Sequence, residues 1–154
     1  GETHFSCMYM AYDALPKKLK ILLQDRHGGF TYGGRKGQNA LLNPEDRDRA
    51  PVFHQLIRSH SETGRKALYV NSGHTERFKE LTLEESEPIL KFLFNHLSRP
   101  EFTCRFVWTP GSLAFWDNYA TQHNPINDYH GFKRVMHRVT VGGGRPQLQQ
   151  QAAE

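Results

Sequence analysis

Apolar residues near the start of the chain recur at helical spacing. Leu19, Leu22 and Leu23 form an apolar stripe within residues 7–24, and such a stripe is typical of a helix with one buried face. Pro16 suits the first turn of a helix, where its missing N–H would have no partner in any case. We therefore predict helical structure over residues 7–24, with the helix restarting at the proline.

A second helix is predicted near the middle of the chain. Thr82 and Glu85 have the spacing of a capping box, in which each side chain accepts a hydrogen bond from the other residue's backbone. Apolar residues then repeat at helical spacing as far as Leu97, and Pro100 follows. The pattern predicts a helix over residues 83–97.

Alternating polar and apolar runs, bounded by turn residues, predict short β-strands. The strands are predicted at 53–58, 67–71, 103–108, 112–117 and 135–141. The first two are joined by a segment with the turn chemistry of a β-hairpin, at residues 60–65. Strands linked by hairpins, with one packed helix, indicate a mainly β fold with α insertions, either an antiparallel sandwich or a jelly roll.

Two segments are predicted to lack regular structure. Residues 27–51 are rich in glycine, then charged and flanked by proline, which is typical of a long surface loop or of a lid over a site. The end of the chain is rich in glycine and then in glutamine, and we expect residues 146–154 to be a disordered tail. The remainder has no internal repeat and suits one domain.

Composition is that of a globular protein in aqueous solution. Of the 154 residues, 37% are hydrophobic and 23% are charged. No apolar run approaches the ~20 residues that cross a bilayer, and the first residues lack the plan of a signal peptide. Cys7 and Cys104 are too few for a disulfide framework. We expect both to be reduced and buried, in a cytoplasmic protein without a membrane partner.

The net charge of +4 is modest, and the basic residues are scattered along the chain. Surfaces that bind nucleic acid gather their basic residues and often add aromatic residues that stack on bases. We therefore predict no nucleic-acid partner. A small anionic molecule suits a mild positive excess equally well.

The last predicted strand carries arginines at an even spacing. Arg134 and Arg138 would share one face with Met136, and valines would occupy the other face. In one interpretation the arginine face is solvated and the valine face packs in the core. In the other, a double sheet covers both faces, and the guanidinium groups bind anions such as ligand carboxylates. The alternation alone does not choose between them.

Nine histidines raise the question of a metal site. A facial iron site uses two histidines and one carboxylate. His60 with Glu62, and His74 with Glu76, match a His-x-Glu pattern, but so short a pattern arises by chance in this composition, and His60 is expected to be solvated beside its turn. His123 follows a predicted strand, and a lone histidine is commonly a hydrogen-bonded structural residue.

One long motif is far more specific. The sequence AFWDNYATQH at 114–123, with NDY at 127–129 and RVMHRVT at 134–140, closely resembles the taurine dioxygenase family. That family includes the chlorophenoxyacetate dioxygenases and comprises iron(II)- and 2-oxoglutarate-dependent oxygenases with a jelly-roll fold. The likeness continues through HSETGRKALYVN at 60–71 and back to GET at 1–3, and it covers residues 1–145.

The resemblance implies roles for individual residues. His123 matches the distal iron ligand, and Arg134 matches the arginine that holds the distal carboxylate of 2-oxoglutarate. Thr3, in a turn similar to Gly-Asp-Thr, matches the threonine that contacts the cosubstrate's other carboxylate. Arg138 matches the residue that binds the anionic head of the substrate, and His74 is expected to line the substrate pocket. The resemblance also implies that the arginine face of the last strand points inward.

The family's His-x-Asp iron ligands precede the Gly-Asp-Thr turn, at which this chain begins. We therefore expect residues 1–145 to be the C-terminal part of a dioxygenase domain, a partial double-stranded β-helix without two of its iron ligands. The implied function is hydroxylation of a small sulfonate or carboxylate, taurine-like, using Fe(II), 2-oxoglutarate and O2, by a homo-oligomer. The alternative is a truncated, inactive jelly-roll fragment with a role only in binding or assembly.

Overall fold

The computed structural model describes residues 1–32 and 49–142. Its strands are β1 Thr3–Cys7, β2 His27–Phe30, β3 Val52–Gln55, β4 Ile57–Ser59, β5 Lys66–Leu68, β6 Thr75–Phe78, β7 Thr103–Phe106 and β8 Thr121–Pro125. Its α-helices are α1 Met8–Asp13, α2 Lys17–Leu23 and α3 Leu83–Leu97, and a 3-10 turn at Pro100–Phe102 leads into β7.

The strands form antiparallel pairs. β1 is the central strand of a sheet with the order β7-β1-β8, and β2 is the central strand of a sheet with the order β3-β2-β6. β4 and β5 form a two-stranded hairpin of their own. Because β1 pairs on both sides, it brings two strands from the C-terminal third of the chain together.

The hydrophobic core lies between the helices and the strands. α1 packs against β5, and α3 packs against β6. Leu90 and Leu93 of α3 are fully buried, as are Leu56 and Val70 on either side of the hairpin. Burying one such aliphatic side chain stabilises the folded state by about 2 kcal/mol. These contacts therefore hold the helices against the sheets.

The helix predicted at 83–97 is confirmed. Its capping box is complete, because Thr82 Oγ1 accepts a hydrogen bond from the Glu85 amide at 3.2 Å and Glu85 Oε2 accepts one from the Thr82 amide at 2.9 Å. These bonds satisfy backbone donors that the start of a helix would otherwise leave without partners. Local sequence alone fixes the start of α3.

The helical structure predicted over 7–24, with a restart at the proline, is confirmed except at its ends. Cys7 ends β1, and the segment that follows it forms two short helices, α1 and α2. Pro16 explains the break, because it has no N–H to donate and its extended backbone (ψ 143°) turns the chain before α2 begins. The predicted restart at the proline is confirmed.

The loop predicted over 27–51 is wrong at its beginning, where His27–Phe30 forms β2. Gly28 lies in that strand because the neighbouring core leaves no room for a side chain: a Cβ there would lie 2.5 Å from Leu56 Cδ2. Glycine in this segment therefore reflects close packing. Residues 33–48 lie outside the described part of the chain, as does the tail predicted at 146–154.

The strands predicted in the middle of the chain are confirmed with altered bounds. The run at 53–58 is divided at Leu56 into β3 and β4, the run at 67–71 corresponds to β5, and the run at 103–108 corresponds to β7. The predicted hairpin joins β4 to β5, with Gly64 at φ +68°. That φ is favourable for glycine and strained for residues with a Cβ.

The strands predicted at 112–117 and 135–141 are wrong, because both segments are irregular. A strand requires a neighbour for its backbone N–H and C=O groups, and neither segment pairs with any strand in residues 1–32 and 49–142. Their apolar side chains are exposed accordingly: Phe115 is 96% exposed and Val139 is 92% exposed. Val135, Val139 and Val141 are exposed, so the interpretation in which the valine face packs in the core is wrong, while binding of anions by the arginines stays a prediction.

The prediction that both cysteines are buried is wrong for Cys104, which is exposed, while Cys7 is partly buried. Cys104 lies on the edge strand β7, opposite Phe5. Within the two described ranges, no helix combines the length and the apolarity needed to cross a membrane.

The packing of β2 gives a direct test of the fold. We expect Gly28→Ala to lower the free energy of unfolding by about 1–3 kcal/mol, as overpacking of a core does. Leu56 and Thr75, which the added methyl group would meet at 2.5 and 3.2 Å, are both fully buried. Urea unfolding measures the change.

Gly73→Ala is the matched control, because a Cβ at Gly73 would meet only Asn71 Oδ1, at an ordinary 3.4 Å. We expect it to change the stability by less than about 0.5 kcal/mol, as a surface substitution does. Equal stability of the two variants would contradict the packing described for β2.

Candidate active site

The pairing of β1 with β8 brings two of the predicted site residues onto one face of a sheet. Phe5 lies directly opposite His123, and Thr3 lies opposite Pro125. Directly paired residues of antiparallel strands project to the same side, and alternate residues of one strand share a face. Thr3, Phe5 and His123 therefore share one face, which we call the His123 face.

Two aromatic rings lie beside His123 on this face. The Trp116 ring lies 5.2 Å from the His123 ring and 5.0 Å from the Phe5 ring, between centroids. The third pair, Phe5 and His123, is 6.4 Å apart. These contacts cover one side of the imidazole, and the other side is open to solvent. The sequence pattern did not assign Trp116 a place in the site, because its contact with His123 depends on the path of an irregular segment.

Thr3 is buried, and its hydroxyl group is engaged. Trp108 Nε1 donates a hydrogen bond to Thr3 Oγ1 at 2.9 Å, and the Trp108 ring packs edge-on against Phe106 at 4.7 Å. The hydroxyl hydrogen of Thr3 remains available to donate to an acceptor such as a carboxylate. Trp108 thus orients this hydroxyl group from the segment that follows β7.

The electrostatics of His123 favour its neutral form. Partial burial lowers the pKa of His123, and the positive charge of Arg138 lowers it further. A neutral imidazole has a nitrogen lone pair available for a metal ion, whereas a protonated one has none. His123 is therefore predisposed to act as a ligand at neutral pH.

Arg134 and Arg138 differ in their exposure and in their neighbours. Arg134 is half-buried: its guanidinium group is 5.4 Å from the centre of the Tyr129 ring, and its Cδ is 3.0 Å from the position a Cβ would take on Gly1. Arg138 is exposed but close enough to His123 to affect its pKa. The C-terminal segment thus carries one cation beside the start of β1 and one near His123.

His74 belongs to a different region, beside the sheet β3-β2-β6. Its Nδ1 lies 3.2 Å from the Thr31 carbonyl oxygen, and its own carbonyl oxygen accepts a hydrogen bond from the Thr31 amide at 3.0 Å. The side chain is exposed. The structure therefore places His74 next to the segment that precedes residues 33–48, and it does not bring His74 together with the His123 face among the residues described.

The expectation that His60 is solvated is wrong. Its side chain is 12% exposed, and its Nε2 lies 2.9 Å from Asp117 Oδ2. The turn chemistry of the sequence correctly indicated a hairpin, but a partner 57 positions further along the chain (117 − 60) has no local signal.

The described residues do not complete a metal site. No group of three or more His, Cys, Asp or Glu side chains in residues 1–32 and 49–142 is arranged to hold a metal ion. A mononuclear iron centre of the facial type requires two histidines and a carboxylate. His123 alone therefore fits one position of such a centre, and the other two ligands are not found in this part of the chain.

Comparison with known proteins decides the family. The model of the taurine catabolism dioxygenase TauD, TfdA family matches residues 1–140. The chain belongs to this family. The match spans every predicted site residue, from Thr3 to Arg138, and confirms the resemblance seen in the motifs at 1–3, 114–123 and 134–140.

Relatives within the TauD, TfdA family include enzymes named for sulfur-containing substrates. The chain is 38% identical over 160 residues to an alpha-ketoglutarate-dependent sulfate ester dioxygenase from Pseudomonas putida, covering 95% of this chain and 52% of that protein. It is 33% identical over 150 residues to an alpha-ketoglutarate-dependent sulfonate dioxygenase from Saccharomyces cerevisiae, covering 95% of this chain and 36% of that protein. The chain thus spans about half the length of these relatives or less.

A solved structure shows the same relation. The crystal structure of AAD-2 in complex with Mn(II) and N-oxalylglycine matches with a TM-score of 0.68 and 29% identity, covering 80% of this chain and 48% of that one. The predicted fold, mainly β with α insertions and part of a jelly roll, is confirmed by this likeness. The family is one of 2-oxoglutarate-dependent dioxygenases, so the prediction of an enzyme family is confirmed as well.

Proposed function

We propose that the chain is the C-terminal part of an Fe(II)- and 2-oxoglutarate-dependent dioxygenase that hydroxylates a small anionic substrate carrying a sulfonate, sulfate ester or carboxylate group. The observation that supports it best is the His123 face: a threonine hydroxyl and a neutral imidazole lie on one sheet face, with two arginines in the segment that follows. Cytoplasmic location and homo-oligomeric assembly are part of the same proposal.

His123 would contribute one iron ligand. Its neutral form is favoured, and the rings of Phe5 and Trp116 restrict the positions that its imidazole can adopt. When bound, iron and 2-oxoglutarate would supply the oxidising power, while the protein supplies orientation and electrostatics. The remaining ligands would come from outside residues 1–32 and 49–142.

Thr3 and Arg134 would hold 2-oxoglutarate by its two ends. The Thr3 hydroxyl group, already oriented by Trp108, has a hydrogen to donate to one carboxylate. Arg134 offers a planar pair of donors, which matches the geometry of the other carboxylate. Gly1 lies against the Arg134 side chain, so the start of β1 and the arginine segment would form the cosubstrate pocket together.

Arg138 would bind the anionic head of the substrate and thereby fix its distance from His123. The same charge lowers the pKa of His123, so one residue would both attract the substrate and keep the ligand unprotonated. His74 would line the substrate pocket from the side of the sheet β3-β2-β6.

A second candidate is a catalytically inactive jelly-roll fragment with a role only in binding or assembly. The observation that favours it is the single ligand, His123, among the described residues. Such a protein would bind 2-oxoglutarate through Thr3 and Arg134 without consuming it. The two candidates therefore differ in turnover and agree in binding.

Turnover of 2-oxoglutarate separates the candidates. In the polypeptide as its gene encodes it, we expect O2- and Fe(II)-dependent formation of succinate, stimulated by at least one of taurine, a short alkyl sulfate and an aryloxyacetate. Succinate and the hydroxylation product are measured together by mass spectrometry. Binding of 2-oxoglutarate with no succinate under any of these conditions would favour the inactive fragment and contradict the proposed oxygenase.

Substitution of the two arginines is expected to raise the KM for two different molecules. Arg134→Ala is expected to raise the KM for 2-oxoglutarate by about tenfold or more, because hydrogen bonds to charged groups contribute about 1.5–3 kcal/mol and 1.4 kcal/mol is about a factor of ten. Arg138→Ala is expected to raise the KM for the organic substrate to a similar extent, leaving that for 2-oxoglutarate within about twofold.

Lys133→Ala is the matched control, because it removes an exposed positive charge from the same segment. Both Michaelis constants should stay within about twofold of the original, as surface charges are screened by salt. If all three variants behaved alike, the assignment of the arginines to two different anions would be wrong.

A further inference from the structure

The β4–β5 hairpin contacts the segment that leads into β8. That segment, residues 116–120, belongs to no β-strand. It begins with Trp116 and leads directly into β8, the strand that carries His123. Two side chains of the hairpin, Arg58 and His60, bond directly to it. We call Arg58 and His60 the hairpin clamp.

His60 makes the first of these connections, and its tautomer follows from its contacts. Its Nδ1 accepts hydrogen bonds from the backbone amides of Glu62 at 3.2 Å and Thr63 at 3.3 Å. A nitrogen that accepts carries no proton, so the ring hydrogen is on Nε2. Nε2 then donates to Asp117 Oδ2 at 2.9 Å. One end of His60 fixes the hairpin turn, and the other end holds Asp117.

Arg58 makes the second connection from a buried position. The side chain is 8% exposed, and its Nη2 donates to the carbonyl oxygens of Asn118, at 2.7 Å, and of Tyr119. The guanidinium group lies between two rings, 4.2 Å from the centre of Tyr69 and 5.1 Å from that of Tyr119. Burial lowers the pKa of Arg58, while the nearby Tyr69 and Asp117 oppose that effect. Aromatic faces and carbonyl oxygens thus compensate a buried cation.

Hydrogen bonds within the segment also link its residues to one another. Asp117 Oδ1 accepts a hydrogen bond from the Tyr119 amide at 2.7 Å, and Trp116 Nε1 donates to Asn118 Oδ1 at 2.9 Å. The Ala120 carbonyl oxygen accepts from the Met8 amide at 2.8 Å. A displacement of Asp117 would therefore be transmitted to the Trp116 ring, 5.2 Å from His123.

We propose that Arg58 and His60 are positioning residues, which act through residues 117–119 to fix the orientation of Trp116 and of the His123 imidazole. This inference rests on the proposed function for its effect on turnover, but its geometric content is independent of activity. Displacement of a reacting group by about 1 Å can lower a rate by about a hundredfold. A clamp on an irregular segment is one means of preventing such a displacement.

The test uses a substitution that keeps the hydrogen bonds made at Nδ1 of His60 and removes the one made at Nε2. In His60→Asn, the side-chain oxygen can still accept from the turn amides in place of Nδ1, but no group reaches Asp117. We expect the side-chain resonances of His123 to shift in the nuclear magnetic resonance spectrum of the 15N-histidine-labelled full polypeptide, while those of His130 stay in place. We also expect kcat to fall by about tenfold to a hundredfold, with the KM for 2-oxoglutarate within twofold.

Two further variants complete the test. Asp117→Ala removes the acceptor of the same bond, together with the acceptor of the Tyr119 amide, and the double variant should be no worse than Asp117→Ala alone, since residues that act through one shared interaction are not additive. Glu62→Ala is the matched control in the same turn, because its side chain is exposed and forms no hydrogen bond or ion pair within residues 1–32 and 49–142. It should leave both kcat and the His123 resonances unchanged. Arg58→Ala removes a buried cation that holds two segments and can prevent folding, so the conclusion does not depend on it.

The outcomes are distinguishable. Unchanged His123 resonances in both His60→Asn and Asp117→Ala would overturn the positioning role, as would a loss of stability accompanied by an unchanged kcat. If the unsubstituted polypeptide forms no succinate, the proposed function fails. The resonance shifts alone then decide whether His60 positions His123 through Asp117.

Discussion

The pairing of β1 with β8 is the interaction on which the candidate site depends. Its register places Phe5 opposite His123 and Thr3 two residues away on the same face. A side chain on the opposite face of β8 also holds the strand in place, since Gln122 donates to the Val70 carbonyl oxygen at 2.5 Å. A one-residue slip of this ladder would turn His123 to the opposite face and remove it from Thr3 and Trp116. The position of His123 is therefore set first by backbone hydrogen bonds and second by side-chain packing.

Charge is distributed around that ladder in a way that suits anions. Arg138 lowers the pKa of His123, and Arg134 lies against Gly1 at the start of β1. The two cations and the imidazole come from the C-terminal third of the chain, whereas the threonine comes from its beginning. The β1–β8 pairing brings the threonine and the imidazole together, and the irregular C-terminal segment places Arg138 near His123. The proposed anion-binding site rests on this combination of two cations, a hydroxyl group and an imidazole.

The elements that could be predicted from the sequence are those with local causes. The capping box set the start of α3, and the turn chemistry after His60 set the hairpin. Long-range packing decided the rest: β2 was missed because Gly28 fits closely beside Leu56, and the Asp117 partner of His60 has no local signal. The strand predicted at 135–141 did not form, because alternation of side chains does not provide a neighbouring strand. Roles for Thr3, His123 and the arginines came from family motifs. The β1–β8 ladder places Thr3 and His123, whereas the arginines lie in an irregular segment outside it.

Iron content of a single pair of variants tests the central claim most directly. The polypeptide as its gene encodes it would be loaded with Fe(II) without oxygen, desalted, and analysed for iron per chain. The account predicts about one iron per polypeptide in the original protein and in His130→Ala, whose side chain is exposed. It predicts loss of most of that iron in His123→Ala. Retention of the same iron content in His123→Ala and His130→Ala would contradict the assignment of His123 as a ligand, and with it the proposed site.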